Sequence, residues 1–301
     1  MEKVVVIGLS GDSEFLSVNH FNYPGETVQA TDKFSEPGGK GYNQATFLGS
    51  LGVDVSFITA LGNDIQAEKC LVELKKRNVK PYIISKELPT DYAVIITNDA
   101  GENNVVVYNK TSNTVTFNDI MKYRDVIDSA DYLLLQLEYP YEVIKKIIDY
   151  AYDKGIKIIL NPAPAKELDL DLIRKVSILI PNEYELTHLI PTKAMTRLEL
   201  MKELEQYGLD TCICTRGSRS VEYYHDGRLK RIPVPDQVTP VDTTGAGDIF
   251  CGGLIYGLIN NMNMLSAIEF AIHSSNLSTA KHGVLNSFPT LDEVKNSINK
   301  K

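Results

Sequence analysis

The chain has 301 residues, of which 43% are hydrophobic and 23% charged, with 20 glycines and 13 prolines. These values lie near the globular average and exclude collagen-like, low-complexity and disordered readings. A net charge of −8, from 39 acidic and 31 basic residues, would repel a duplex phosphate backbone, so nucleic acid is not an expected partner.

The four cysteines (Cys70, Cys212, Cys214, Cys251) lack CxxC spacing and the five histidines lack HxxxH pairing, which argues against a zinc site. The first apolar run, Val4–Ile7, is too short for a signal peptide, and no run nears the ~20 residues of a membrane span. A cytoplasmic protein with reduced thiols is expected.

In chain order, Val4–Ile7, Val55–Thr59, Tyr132–Gln136, Lys157–Leu160, Ser177–Ile180 and Thr211–Thr215 are short β-branched runs that predict buried strands. Ala67–Arg77, Tyr141–Lys154 and Thr196–Tyr207 carry apolar residues at helical spacing and predict helices between them. Such alternation implies right-handed crossovers, so the expected fold class is α/β: a central, mostly parallel sheet with helices on both faces. Two stretches, about 14–35 and 88–115, are strand-like (Thr90–Thr97, Asn104–Tyr108, with a turn at Asp99–Glu102) and hold no helix pattern. They predict a small antiparallel β lid outside the main layer or, more plainly, two edge hairpins. Asp226-Gly227, between Val221–His225 and Arg228–Ile232, predicts a tight hairpin. No repeat or Pro/Gly/Ser-rich linker divides the chain, and one domain over 1–301 is expected.

In an open α/β sheet, ligands lie beyond the carboxyl ends of the strands, where helix N-termini present free N–H groups. Two segments suit that place. In Pro37-Gly38-Gly39-Lys40-Gly41-Tyr42-Asn43-Gln44-Ala45, three glycines admit close backbone approach, and Lys40 and Asn43 add a cation and an amide, a chemistry suited to a polyol. A helix-compatible run, Thr46–Leu51, follows, and a tight turn before it is the plainer reading. The spacing is not that of a Walker A loop. In Asp242-Thr243-Thr244-Gly245-Ala246-Gly247-Asp248, the glycines at a helix start offer N–H donors to an anion and a carboxylate follows in the first turn, where it would also serve as a plain helix cap. Gly252, Gly253 and Gly257 lie in the same helix at about 1 kcal/mol each relative to Ala, which implies close backbone packing there.

Together the two segments resemble the signatures of the ribokinase family of carbohydrate kinases, also called the PfkB family. The resemblance extends through Pro24-Gly25-Glu26-Thr27, Gln136-Leu137-Glu138, Asn161-Pro162-Ala163-Pro164, Pro181-Asn182-Glu183-Tyr184-Glu185 and Thr215-Arg216-Gly217-Ser218. It implies a ribokinase-like fold and phosphoryl transfer from MgATP to a sugar hydroxymethyl group. Asp248 would be the general base, and Gly245, Ala246 and Gly247 the anion hole. Gly39, Lys40, Asn43 and Glu138 would contact the sugar, while Asn182, Thr215, Gly217 and Gly247 would serve ATP. Glu185 would hold Mg²⁺ through water. Asp242, Thr244, Ser278, Lys281, Gly283 and Ser287 match positions that hold an activating K⁺, largely through carbonyls. A homodimer paired through the lid is also expected.

One departure stands out. After the first strand the family has Gly-Ser-x-Asn-x-Asp, whose Asn and Asp bind sugar hydroxyls, and an ungapped match puts Gly11 and Ser13 there. A wider pocket is expected at that point, with D-ribose disfavoured against a larger or differently substituted sugar. Within the family, a nucleoside or hexose-phosphate kinase is the alternative, which basic or aromatic lid residues such as Phe21, Tyr23 or Lys33 would serve. Outside it stands a catalytically silent sugar-binding protein. A nicotinamide-dependent dehydrogenase is disfavoured, because Gly8-Leu9-Ser10-Gly11 lacks the GxGxxG spacing.

Overall fold

The computed structural model describes residues 2–100 and 102–300. The first part of the chain runs β1 (Val4–Ile7), β2 (Gly11–Val18), β3 (Asp32–Gly38), α1 (Lys40–Ser50), β4 (Val55–Leu61), α2 (Ile65–Lys76), β5 (Lys80–Ser85), β6 (Asp91–Asn98) and β7 (Asn103–Tyr108). Short helices α3 (Lys110–Asn113), α4 (Phe117–Met121) and α5 (Arg124–Asp128) lead to β8 (Tyr132–Leu135), α6 (Tyr141–Asp153), β9 (Lys157–Leu160), α7 (Leu170–Ile173) and β10 (Ile178–Leu179). Then follow α8 (Glu183–Thr187), α9 (Arg197–Gln206), β11 (Thr211–Thr215), β12 (Ser220–His225), β13 (Arg228–Pro233), α10 (Ala246–Ile259), α11 (Met264–Ser278) and α12 (Leu291–Ile298).

Among the described residues, nine strands form the main sheet in the order β13-β12-β11-β10-β9-β8-β1-β4-β5. From β11 to β5 all pairs are parallel, and β12 and β13 close one edge as antiparallel strands. Side chains alternate across a strand, so Val4 and Val6 of β1 enter the core beneath α1 and α10, while Val5 and Ile7 enter the opposite core with α6 and α9. Burial on both faces is why these strands read as unbroken apolar runs. Asp226 and Gly227 turn the β12–β13 hairpin with φ of 48° and 70°, as the Asp-Gly signal predicts.

Helix α10 has no polar stripe because it is enclosed. A Cβ on Gly252 would come 2.8 Å from Phe47 of α1, and one on Gly257 would come 2.7 Å from the Ala267 Cα of α11. The glycines therefore let α10 sit closely between its neighbours, as their cost in a helix implied. No helix among the described residues is long and apolar enough to cross a membrane.

The second sheet has the order β3-β2-β6-β7, so the two strand-rich stretches join as one lid rather than as separate edge hairpins. Its outer pairs are antiparallel and its central pair, β2 with β6, is parallel. The reason is connectivity: β2 follows β1 and β6 follows β5, two strands that run the same way in the main sheet, so both emerge from its carboxyl edge in one direction. The lid also reaches beyond residues 14–35, since β2 begins at Gly11 and β3 ends at Gly38. Gly101 of the Asp99–Glu102 turn lies outside the described residues.

Candidate functional site

The lid folds over the N-termini of α1 and α10 and encloses a pocket of about 250 Å³. Gly11, Ser13, Gly39, Lys40, Asn43, Glu138, Thr244, Gly245 and Asp248 all line it, while Phe15, Ala93, Ile95 and Val107 give it an apolar wall on the lid side. Helix α1 starts at Lys40 rather than at Thr46, so the first glycine-rich segment is itself a helix N-terminus. The N–H groups of Lys40 and Gly41 donate to Glu138 Oε2 at 2.9 and 3.4 Å, and the carboxylate thus meets the positive end of α1. Burial pushes Glu138 up to about 7, with the Lys40 ammonium acting against the rise. At Lys40 burial opposes the charge, yet Asp248, Glu138 and Glu185 outweigh it and hold the ammonium above its ordinary range.

Asp248 is buried in the first turn of α10. Its Oδ2 accepts from Asn43 Nδ2 at 2.9 Å and its Oδ1 from Gln44 Nε2 at 3.0 Å. Gln44 also donates to Asn161 Oδ1 at 3.3 Å and accepts from Gln136 Nε2 at 2.5 Å, and Asn161 donates in turn to the Ile180 carbonyl at 3.0 Å. This chain of amides fixes the carboxylate in orientation. Burial raises its pKa, although Lys40 and the two amide donors act the other way. A carboxylate so raised and so held is suited to take a proton from a bound hydroxyl. Sequence reasoning named none of Gln44, Gln136 and Asn161 as site residues; their only signal was their place inside the quoted motifs.

The structure corrects the expectation of extra room beside Gly11. A Cβ there would come 2.5 Å from the Asp91 carbonyl oxygen, so the β6 main chain already fills that space. The buried Asp91 carboxylate accepts from Thr111 and Ser112 N–H at 2.9 and 3.0 Å. The carboxylate of Asp12 turns instead to Lys69 of α2 at 2.8 Å, and that of Glu14 to Tyr92 and Lys33. Asp12 is among the residues lining the pocket and its Oδ1 is buried without a partner, but side chains alternate along β2, which sets Asp12 and Glu14 on the face opposite Gly11 and Ser13. Phe21, Tyr23 and Lys33 do not line the pocket.

A second cavity, of about 170 Å³, is lined by Thr215, Gly217, Ser218, Thr243, Ala246, Gly247 and residues of α10 and α11. The turn from Thr243 to Asp248 separates the two cavities: Thr244, Gly245 and Asp248 face the first, and Thr243, Ala246 and Gly247 the second. Gly245 has φ 74°, and a Cβ on it would come 2.5 Å from Val284 Cγ1, so glycine alone fits. The Ala246 N–H donates to the Thr243 carbonyl at 3.2 Å, which leaves the Gly245 and Gly247 N–H groups to meet an anion at the helix start.

Asn182 and Glu185 line neither cavity. They cap α8 reciprocally: each backbone N–H donates to the other's side chain at 2.8 Å. Burial raises Glu185, opposed by the Asn182 N–H and by Lys40, so its charge is felt at the pocket. Asn182 bridges to Thr215, which brings the two motifs side by side.

Asp242 accepts from Thr244 N–H at 2.9 Å and from Gly283 N–H at 3.0 Å, and Ser287 Oγ donates to the Val284 carbonyl at 2.8 Å. Three of the six expected cation positions, Asp242, Thr244 and Gly283, are thus pinned together, and Ser287 is tied to Val284, next to Gly283. Ser278 and Lys281 lie beside them at the end of α11, where the Ser278 hydroxyl donates to the Ser275 carbonyl at 2.8 Å. Asp242 is the one carboxylate of the six, and the Glu36 carboxylate lies close by, accepting from Val284 and Leu285 N–H.

A family model described as pfkB family carbohydrate kinase matches residues 1–291. A ribokinase of Staphylococcus aureus (strain COL) is 34% identical over 300 residues, covering 97% of this chain and 98% of that protein. A ribokinase structure from Thermotoga maritima superimposes with a TM-score of 0.90 at 26% identity, covering 99% of this chain and 100% of that one. One from Cryptococcus neoformans in complex with ADP gives 0.79 at 25% identity, covering 98% and 99%.

Proposed function

Because the chain belongs to the pfkB family of carbohydrate kinases and is a ribokinase-like sugar kinase, we propose that the lid pocket takes the sugar and the second cavity takes MgATP. The observation that carries this assignment is the single turn, Thr243 to Asp248, that lines both cavities at once. Lys40, Asn43 and Glu138 hold the hydroxymethyl end of the sugar beside Asp248. Asp248 takes the hydroxyl proton as that oxygen bonds to the γ-phosphorus and the bond to the ADP oxygen breaks. The Gly245 and Gly247 N–H groups, with Lys40, meet the charge on the phosphoryl oxygens. Thr215 and Gly217 hold the nucleotide. Glu185 would hold Mg²⁺ through its water shell, and the metal would supply neutralisation of phosphate charge. ADP release from ATP that depends on added sugar tests this reading; release that ignores every sugar would sink it.

Asp242, Thr244, Gly283 and Ser287, with Ser278 and Lys281 beside them, would hold K⁺ close to the anion hole. Replacing K⁺ by a bulky organic cation at equal ionic strength is expected to lower kcat several-fold, since screening is then unchanged. Equal rates in both salts would remove the site.

Strand β7 is an edge of the lid sheet and exposes Val105, Val106 and Val107, each more than half accessible. Such an edge is a template for another strand, and a second copy of the lid would cover it. Sedimentation is expected to show a dimer that Val106→Lys dissociates. A wild type that stays monomeric at high concentration argues against the pairing.

A further inference from the structure

Where the family pattern places an acidic residue on β2, this chain has Ser13, and the antiparallel register sets Ser13 directly opposite Glu36 of β3. Directly opposed residues share one face of the sheet with Cβ atoms about 4.5–5.5 Å apart, so a carboxylate at 36 reaches the space over Ser13 from the side. Glu36 is 6% exposed and lines the lid pocket. Its Oε1 accepts from Val284 N–H at 2.5 Å and its Oε2 from Leu285 N–H at 3.1 Å. A carboxylate offers about four acceptor positions, so two remain after these bonds. The main-chain donors also fix its direction. We propose that Glu36 recognises the sugar hydroxyl over Ser13, one strand removed from the family's position, and so sets the substrate.

This rests on the lid pocket being the sugar site. The substrate class follows from the chemistry at the two β2 positions. The sugar carries a hydroxyl toward Ser13 and Glu36. On the Gly11 side, where the Asp91 main chain closes the floor, it needs none, so a sugar deoxygenated there is accepted.

The test is kinetic. In Glu36→Gln, KM for the best sugar of a panel of pentoses and their monodeoxy derivatives is expected to rise about tenfold, the scale of one charge-assisted hydrogen bond, with KM for ATP unchanged. Glu36→Asp, which keeps the charge on a shorter arm, recovers part of the loss. Ser13→Asp/Glu36→Ala returns the carboxylate to β2 and is expected to gain D-ribose. Ser13→Asp alone gains nothing, because it sets two like charges opposite one another. An unchanged sugar KM in folded Glu36→Gln overturns the proposal, and so does a parallel rise in both KM values, which a merely structural pin would give. If Glu36→Gln does not fold, Glu36→Asp with an unchanged sugar KM is equally fatal. A wild type that phosphorylates no sugar refutes the pocket assignment itself, whereas an active wild type with indifferent variants refutes only the role of Glu36.

Discussion

Asp248→Asn is expected to lower kcat by about 10²-fold or more, the scale of losing a general base, while ATP affinity is retained. The fold has room for the change. Both Asp248 oxygens accept amide N–H groups, so an introduced NH₂ must find an acceptor, and Asn43 Oδ1 is buried without a partner. A turn of the Asn43 amide supplies it. The effect on stability has a definite sign: burial raises the folded pKa of Asp248, so its contribution is fully present below the unfolded value and is lost as pH rises through the folded one. At neutral pH the neutral variant should therefore melt no lower than wild type. The wild-type rate should fall with acid from a point above the ordinary aspartate range, because the base must be ionised. Near-wild-type kcat in the purified variant would remove Asp248 from the chemistry.

D-Ribose is expected to react with kcat/KM about 10²-fold below that of the best sugar on the same panel. The side chain that holds a hydroxyl at position 11 in the family is absent, Glu36 meets the hydroxyl over Ser13 from a different direction, and one such bond is worth about 1–3 kcal/mol when its partner is otherwise left unpaired. Restoring Asn at position 11 is not open to this chain, because its Cβ would strike the Asp91 carbonyl at 2.5 Å. The expected discrimination would thus rest on the backbone of β6 as well as on the group missing at position 11. Lys40, Asn43, Glu138 and Asp248, proposed to hold the hydroxymethyl end, all line the pocket, so the reaction is expected to survive while the preferred sugar changes. If D-ribose proves the best substrate, the ungapped match along β2 is wrong.

Much of this site is legible in the order of residues alone. The strands Val4–Ile7, Lys157–Leu160 and Thr211–Thr215 fall on the residues expected, because a short β-branched run between turns has few other solutions. The glycine motifs stand out since helix starts against a ligand need free N–H groups and no Cβ. What stays hidden depends on which strand lies beside which. The one-strand move of a carboxylate from β2 to Glu36 appears only once Ser13 and Glu36 are known to be opposed. The filled space beside Gly11 is set by a main-chain atom, which no residue type reveals. The chain Gln136–Gln44–Asn161 links three distant segments by side-chain amides, and amides leave no periodic trace.

The parallel pairing of β2 with β6 also bears on the order in which the molecule assembles. Gly11 lies opposite Asp91, a separation of 80 residues (91 − 11), whereas β2 and β3 alone would be an isolated two-stranded ribbon of marginal stability. The lid is therefore expected to wait until β4, α2 and β5 have been laid down between its strands, since a distant pairing must first meet the entropy of closing its loop. No lid residue lines the second cavity, whereas all four lid strands contribute to the wall of the lid pocket. During refolding the half proposed to hold the nucleotide should mature first, with the half proposed to hold the sugar completed last, and a chain caught between the two stages is expected to recognise ATP while remaining blind to sugar.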